Sequence, residues 1–377
     1  MSRQRIETEK TAIMGGVSRR RLLRNAGGAS GMALIGSLGL SRVAGATTEP
    51  PPSGSPQPTP TGGTPVGSNG TITIYSGRNE ALIGDLIGEF ERETGIDAEV
   101  RYGDTAELTA QILEEGDNSP ADVFFSQDAG ALGALAKENR LITLPDELLN
   151  RVEARFRSDD GLWVGTSGRV RVLVYNTDQL AETDLPASVL DLVDSKWKGK
   201  IGWAPTNGSF QAFVTALRVL KGEDAARDWL EGMKANEPVA FENNAAITRA
   251  VGAGELPTGL VNHYYLYEVQ AEEGKTFPIA NHFFAAGDVG SLVNVAGVGI
   301  LGTADRSDKA LVFADFLLKD DAQHYFAEHT WEYPLIAGVP AEPALVPLAD
   351  IQSPEIDLSN LSDLQGTLAL LTDVGIL

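Results

Sequence analysis

The sequence contains no cysteine among its 377 residues. This absence excludes disulfides, thiolate metal sites, a cysteine nucleophile and a lipid-modified cysteine anchor. The motifs of a secreted hydrolase are missing as well, since there is no Gly-x-Ser-x-Gly elbow and no His-Glu-x-x-His helix. Of the few histidines, His282, His324 and His329 show no spacing typical of a metal site. A secreted hydrolase is therefore only a distant alternative.

Positive charge is scarce. The chain has 30 Lys and Arg against 52 Asp and Glu, a formal net charge of -22. Residues 1–46 hold eight basic and two acidic residues, so the remainder carries -28. Such a charge argues against nucleic acid, whose binding needs clustered Lys and Arg. Arg outnumbers Lys about two to one, and this acidic, Lys-poor composition predicts a halophilic protein, because concentrated salt screens self-repulsion.

The basic residues are concentrated in a leader. Residues 18–23 read Ser-Arg-Arg-Arg-Leu-Leu, a twin-arginine pattern, and residues 26–40 form an apolar segment too short to span a bilayer comfortably. Small residues at 44–46 offer a cleavage site, so residues 1–46 are predicted to be a twin-arginine signal peptide, with an uncleaved anchor as the alternative. Residues 47–70, rich in Pro, Gly, Ser and Thr, predict a linker. We expect Tat export to an extracellular, cell-surface or periplasmic location.

Strands and helices alternate along the rest of the chain. Apolar periodicity predicts a β-α-β-α-β order over residues 71–125, typical of a mostly parallel sheet with helices on both faces. A second set follows from Arg169, with strands at 170–175 and 201–203 and helices at 187–193 and 210–220. Ligand groups are expected at the carboxyl ends of the strands. The first set presents these candidate cleft-lining residues: Ser76, Gly77, Arg78, Asn79 and Gln127.

Two adjacent tyrosines, Tyr264 and Tyr265, end a predicted strand that begins with the apolar run 258–261. Phenols with an ordinary pKa near 10 are inert hydroxyls, but a hard trivalent cation can displace both protons and bind two phenolate oxygens. The pair is either packed and hydrogen-bonded or a metal ligand. The neighbouring His263 is predicted to be structural, because successive residues of a strand face opposite sides.

Residues 207–209 precede a predicted helix and read Asn-Gly-Ser. Free backbone N–H groups at such a helix start can bind an anion. Ordinary helix capping is the alternative, because caps prefer these residues whatever the ligand. Asn243 and Asn244 open another predicted helix in the same way.

Seven stretches between residues 71 and 335 stand out as a set, residues 74–77, 90–95, 121–124, 167–169 with 174–175, 197–202, 262–265 and 332–335. In these stretches the chain resembles the ferric-ion-binding proteins of ABC iron importers, which are class II periplasmic-type solute-binding proteins. Several of the stretches occur in the family's order with nearly its spacing.

The resemblance implies an α/β, two-lobed periplasmic-binding-protein-like fold, with mixed sheets, helices on both faces and a ligand cleft between the lobes. We expect lobe 1 to comprise residues 71–168 and 294–344, and lobe 2 residues 169–293 and 345–377, with hinges near Gly168–Arg169 and Asn294. The implied function is capture of Fe³⁺ with phosphate or carbonate as the synergistic anion. The protein is expected to be a monomer without enzymatic activity, and to deliver iron to the permease of an ABC importer.

The resemblance also assigns individual residues. The family's paired iron-ligating tyrosines fall on Tyr264 and Tyr265. Its histidine and glutamate ligands fall on Asn79 and Gln127, so the remaining iron positions go to the anion, water, Asp128 or Tyr75. Its anion-binding positions fall on Asn207, Gly208, Ser209, Asn244, Asn262 and Arg169. A second reading keeps the fold but binds an organic anion, such as a phosphonate or carboxylate, with the tyrosines only hydrogen-bonding.

Overall fold

The structure is a computed structural model that describes residues 70–377. The predicted signal peptide and all of the predicted linker except Gly70 lie outside the described residues. Within residues 70–377 we find no helix with both the length and the apolar character needed to cross a membrane.

Ten strands form the framework of the described chain. They are β1 Thr71–Ser76, β2 Asp97–Tyr102, β3 Val123–Ser126, β4 Val164–Asn176, β5 Ile201–Trp203, β6 Val239–Ala240, β7 Thr258–Asn262, β8 Ile279–His282, β9 Val293–Ile300 and β10 Tyr333–Pro334.

Eleven α-helices are distributed among these strands in the described residues. They are α1 Glu80–Thr94, α2 Thr105–Glu115, α3 Ala129–Lys137, α4 Asp146–Leu149, α5 Gly208–Lys221, α6 Glu223–Ala235, α7 Asn244–Gly252, α8 Tyr265–Glu273, α9 Ser307–Leu317, α10 Asp320–Thr330 and α11 Leu364–Asp373.

The strands form two sheets that share β4. In the first sheet, β1 lies between β2 and β3 in parallel, and β9 joins antiparallel to both β3 and β4. In the second sheet, β4 pairs antiparallel with β7 and β8, and β5 lies parallel to β7. The first set of strands is therefore parallel as predicted, while the antiparallel strands make both sheets mixed.

Strand β4 passes from one sheet to the other within its length. It pairs with β9 as far as Val170 opposite Val293, and with β7 from Arg171 opposite Asn262. Arg169 lies directly opposite Asn294 in the ladder with β9. The residues predicted as hinges are thus cross-strand neighbours, one residue before the change of sheet. Every residue of β4 is buried, which suits a strand covered by both sets of helices.

Local sequence explains the helix bounds near the strand ends. The Asn79 side chain accepts a hydrogen bond from the backbone N–H of Leu82 at 2.9 Å, and caps the start of α1. At the other end Gly95 takes φ 69°, a left-handed conformation that favours glycine. Between them, Ile83, Leu86 and Phe90 are buried at helical spacing, so α1 covers the first sheet with one apolar face.

Two predicted elements differ from the structure. The predicted helix 187–193 is a 3₁₀-helix over Val189–Val193, since Ser188 and Asp191 form a capping box that closes a single short turn. The strand predicted to carry Tyr264 and Tyr265 ends at Asn262, and Tyr264 is the N-cap of α8.

The C-terminal segment, residues 345–377, contacts helices on both sheets. Helix α11 packs on α5, where the hydroxyls of Thr215 and Thr367 are 2.7 Å apart. The preceding 3₁₀-helix Leu358–Ser362 packs on α3, where Gly130 and Gly133 leave room for its backbone. The segment predicted to belong to lobe 2 therefore also packs against a helix that lies on the first sheet.

Candidate functional site

Tyr264 and Tyr265 lie side by side at the start of α8. Their ring centroids are 4.3 Å apart and the rings are inclined by 33°. Neighbours on a strand would point to opposite faces, but Tyr264 has φ -70° and ψ -23°, a helical conformation. The turn from strand to helix therefore allows both phenols to face the same side, which a continuing strand would prevent.

Burial raises the pKa of Tyr264 well above 10, and the neighbouring Tyr265 raises it further, whereas the charge of Arg169 lowers it. Burial also raises the pKa of Tyr265, while its hydrogen bonds with Tyr264 and Asn244 oppose the shift. Both phenols are therefore protonated at neutral pH without a cation. Within residues 70–377 no group of three or more His, Cys, Asp or Glu could hold a metal ion.

His263 precedes the tyrosine pair, and hydrogen bonds to two backbone groups hold its ring. Its Nδ1 accepts a hydrogen bond from the backbone N–H of Val170 at 3.2 Å, and its Nε2 lies 2.8 Å from the Trp331 carbonyl oxygen. The ring is fully buried and stacks on Tyr333, with centroids 4.8 Å apart. Burial lowers the pKa of His263 to about 4, so the ring is neutral. These contacts agree with the structural role predicted for it.

The predicted anion-binding residues meet beside the tyrosines. Asn207 caps α5, and its Oδ1 accepts hydrogen bonds from the backbone N–H of Ser209 and from Asn244 Nδ2, both at 3.1 Å. Asn262, the last residue of β7, donates from Nδ2 to the Ser209 Oγ at 3.2 Å. Gly208 is the first residue of α5, and a Cβ there would meet no atom within 4 Å. The start of α5 therefore has open space beside it, bordered by three asparagines.

Two arginines of β4 lie near the phenols. Arg169 and Arg171 are each 3% exposed, and alternate residues of a strand share a face. Arg169 donates to the Gln127 carbonyl oxygen, and its Nη1 lies 3.8 Å from the Glu332 carboxylate. Burial lowers the pKa of Arg171 to about 9 and the two phenols oppose this, so its guanidinium is still charged at neutral pH. The site is locally positive within an acidic protein.

Arg78, which is predicted to line the cleft, lies in the interior of the described structure. It is fully buried and forms an ion pair with Glu332, with Nη2 2.6 Å from Oε2. It also donates to the Ser167 Oγ at 3.1 Å. Ser76 is fully buried too. Its Oγ donates a hydrogen bond to the Arg78 carbonyl oxygen at 2.8 Å, and this bond closes the turn after β1. Both residues hold the turn in place from the interior.

The side chains of Tyr75 and Asn79 form hydrogen bonds with the helices α2 and α1. The Tyr75 hydroxyl donates to Glu115 Oε1 at 3.0 Å and accepts from Gln111 Nε2 at 3.2 Å, both on α2. Asn79 is exposed and caps α1. Within the described structure neither residue has a contact with the tyrosine pair, and the hydroxyl of Tyr75 is held by α2.

Gln127 and Asp128 follow β3, opposite the chain that carries Arg169. Asp128 caps α3, its Oδ1 accepting from the backbone N–H of Ala131 at 3.1 Å. Burial raises its pKa, while the charge of Arg169 lowers it. The Gln127 Oε1 is buried and has no hydrogen-bond partner within residues 70–377. Arg169 interacts with both of these residues and with the tyrosines. Gln127 and Asp128 are therefore the residues that the first sheet contributes to the candidate site.

Sequence reasoning missed two residues of this region. Arg171 was not singled out, although the spacing of Arg169 and Arg171 in an apolar strand places both on one face. Glu332 was noted only within a matching stretch. It is 1% exposed and is shared by Arg78 and Arg169. No local pattern joins Glu332 to Arg78, because 254 positions separate them in the sequence.

Comparison with known proteins places these features in a family context. The profile of the family described as bacterial extracellular solute-binding protein matches residues 118–356. The major ferric iron-binding protein of Neisseria meningitidis serogroup B is 35% identical over 310 residues, covering 81% of this chain and 92% of the relative.

Solved structures give the same result. Iron-bound HitA from Pseudomonas aeruginosa has 36% identity and a TM-score of 0.77, covering 81% of this chain and 99% of that one. A Trichodesmium protein (IdiA, FutA) in complex with iron and citrate has 30% identity and a TM-score of 0.72, with coverage of 81% and 99%.

Proposed function

The chain belongs to the bacterial extracellular solute-binding proteins, and we propose that it binds ferric iron with a synergistic anion and delivers it to an ABC importer. The observation that carries the proposal is the pair of phenols at the start of α8, with ring centroids 4.3 Å apart, beside the anion-binding residues at the start of α5. The relatives named for ferric iron support the choice of cation.

The chemistry of the site suits a hard trivalent cation. Fe³⁺ prefers oxygen donors, and Tyr264 and Tyr265 supply two phenolate oxygens once the cation displaces their protons. We propose that an anion held by Asn207, Ser209 and Asn244 supplies further oxygens. Water and the carboxyl group of Asp128 are candidates for the remaining positions. The Tyr75 hydroxyl is a weaker candidate, because Glu115 and Gln111 already bind it.

The proposed ligands can be tested by colour. Phenolate-to-iron charge transfer should give the iron-loaded protein a visible absorption band. The double variant Tyr264→Phe with Tyr265→Phe should lose that band, because no phenolate remains to donate charge. Absorption spectra and bound iron, measured after loading with ferric iron and phosphate, check this expectation.

Tyr267→Phe is the matched control for this test. Tyr267 lies on the same helix, but its hydroxyl donates to the Ala344 carbonyl oxygen at 2.9 Å and its ring stacks on Trp331. This variant should retain the band. A band that persists in the double variant would refute the proposed ligands.

The anion we propose is phosphate or carbonate. The citrate present with iron in the Trichodesmium protein makes a carboxylate a third candidate.

The same anion-binding residues, Asn207, Ser209 and Asn244, favour a second candidate function, the binding of an organic phosphonate or carboxylate without iron. Native mass spectrometry with and without a ferric chelator separates the two, since only an iron-dependent complex loses mass with the chelator.

We propose that the protein acts outside the cytoplasm as a monomer, after export by the twin-arginine route. Closure of two lobes over the ligand would create the form that the permease recognises. No catalytic step is part of this proposal.

A further inference from the structure

Arg171 carries a buried charge that no carboxylate compensates. Arg78 and Arg169 both lie near Glu332, with nitrogen–oxygen distances of 2.6 and 3.8 Å. Within residues 70–377 no ion pair joins Arg171 to an acidic side chain, although Arg171 is only 3% exposed. A buried charge without a counter-ion is costly in any fold. An anion bound near Arg171 would offset this cost.

The hydrogen bonds of Arg171 fix the anion-binding residues. Its Nη2 donates to the Leu260 carbonyl oxygen at 3.0 Å, and its Nη1 to the Asn244 Oδ1 at 3.3 Å. Because the oxygen of Asn244 faces Arg171, its Nδ2 is turned toward the Asn207 Oδ1, 3.1 Å away. Arg171 therefore determines the orientation of Asn244 and, through it, the loop at residues 207–209.

The rest of the Arg171 side chain lies beside two aromatic rings, and one of its own N–H donors is unused in the described residues. Its central carbon lies 5.9 and 6.0 Å from the ring centroids of Phe210 and Phe213, in the first two turns of α5. The Nε of Arg171 is buried and has no hydrogen-bond partner in the described residues. The rings exclude water from the side of α5, so the charge is poorly screened where the helix begins.

We infer that Arg171 is the positioning residue of the anion cradle, and that its uncompensated charge is what an oxyanion arriving with ferric iron neutralises. This inference rests on the proposed function. The chemical class of the anion is a small oxyanion of charge -2, such as hydrogen phosphate or carbonate. Arg171 acts through Asn244 and through its charge, so direct contact with the anion is not required.

Two substitutions separate charge from packing. Arg171→Met removes the charge and the donors but keeps an unbranched side chain. Arg171→Lys keeps the charge but cannot donate to Asn244 and Leu260 in the same planar arrangement. Arg249→Met is the control, because Arg249 lies on α7 with Asn244 but pairs with Glu272.

The experiment measures iron retention by the full chain against a chelator, at increasing inorganic phosphate or bicarbonate. Either anion should slow iron loss from the wild type and Arg249→Met at least tenfold. In Arg171→Met the anion effect should fall to less than threefold, and in Arg171→Lys it should lie between those of Arg171→Met and the wild type. The unfolding midpoint of metal-free Arg171→Met should be unchanged or higher, because an unpaired buried charge has been removed.

Two results would overturn the inference. One is an anion effect in Arg171→Met equal to that of the wild type. The other is a metal-free unfolding midpoint several degrees lower together with weaker iron retention at every anion concentration, since this is the signature of a purely structural residue.

Failure of the proposed function itself has a different appearance. A wild type without an iron-dependent band would contradict iron binding. Calorimetry of phosphate and bicarbonate with the metal-free proteins then decides the role of Arg171. Weaker anion binding by Arg171→Met than by Arg249→Met supports the inference, and equal binding rejects it.

Discussion

Tyr264 and Tyr265 show how far single residues can be interpreted from the sequence. The chemistry of two adjacent phenols singles them out, and the strand before them places them at a sheet edge. Their conformation was not predicted, because period-two alternation would turn one of the rings away. The structure resolves this by ending β7 at Asn262 and placing both tyrosines in the first turn of α8. The site therefore depends on a strand–helix junction that apolar periodicity does not reveal.

Glu332 is a buried charge near the site with a large expected effect on stability. It accepts hydrogen bonds from Arg78, Ser167 and Thr330, all in the interior. Glu332→Gln should lower the free energy of unfolding by about 3–5 kcal/mol at pH 7, because it leaves the buried Arg78 without a counter-charge. Chemical denaturation of the metal-free protein measures this difference.

The pH dependence of the same pair has a defined sign. Burial alone would raise the pKa of Glu332, but the charge and hydrogen bonds of Arg78 outweigh burial and hold the pKa below its ordinary value of 4.5. As the pH falls, Glu332 in the unfolded chain therefore binds a proton before Glu332 in the folded chain. The stabilisation that the ionised carboxylate gives the folded state is complete above pH 4.5 and is lost as the pH falls through the lower folded-state pKa. The difference in the free energy of unfolding between the wild type and Glu332→Gln should therefore become smaller below pH 4.5.

Glu328→Gln provides the control, since Glu328 lies exposed on the neighbouring α10. Its effect should stay within about 0.5 kcal/mol, as for most surface changes. A Glu332→Gln protein as stable as this control would show that the buried network contributes little.

Helices and strands with strong local signals were predicted closely. Helix α1 has a cap, an apolar stripe and a terminal glycine, and β1 and β2 have alternating patterns, so the strand–helix–strand order predicted from residue 71 is found in the structure. The packing of residues 345–377 on α3 was not predicted. It depends on two glycines in one helix, whose spacing carries no signal without the partner segment.

Gly133 tests that contact. A Cβ at this position of α3 would lie 2.5 Å from the Ser359 carbonyl oxygen, a backbone atom that cannot move by itself. Gly133→Ala should therefore cost about 1–3 kcal/mol of stability, the usual range for overpacking. Thermal or denaturant unfolding of the full chain measures the loss.

Gly84→Ala is the matched helical control. The nearest atom to a Cβ at Gly84 in α1 is the flexible Glu80 Cγ, 3.5 Å away. Alanine there should stabilise the protein by about 0.5–1 kcal/mol through helix propensity alone. If Gly133→Ala behaved like Gly84→Ala, the C-terminal segment would not be seated on α3.

The whole molecule combines an alternation that apolar periodicity predicts with a strand crossing that periodicity does not show. Two β-α sets imply two sheets, and the resemblance implies two lobes, with boundaries that stay a prediction. What periodicity could not supply is that one strand of 13 residues, β4, serves both sheets. Its uninterrupted burial looks the same on either side of Val170, so only the change of partner from β9 to β7 reveals the crossing.

This crossing leads to a prediction about movement. The candidate site draws Gln127 and Asp128 from the end of β3 in the first sheet, and the tyrosines and the start of α5 from the second. A ligand that contacts both groups favours a closed arrangement, with bending at the paired residues Arg169 and Asn294. Small-angle scattering should therefore give a smaller radius of gyration after ferric iron and phosphate are added. The closed form should approach about 19 Å, the value for a compact body of roughly 300 residues.

The variants already described make this measurement decisive. Tyr267→Phe should contract like the wild type, whereas the Tyr264→Phe, Tyr265→Phe double variant should keep its larger radius, because phosphate alone lacks the cation that joins the two groups. Contraction of the double variant with phosphate alone would assign closure to the anion and its arginines. An unchanged radius in the iron-loaded wild type would mean that the ligand binds without hinge motion, and that the permease must recognise something other than lobe closure.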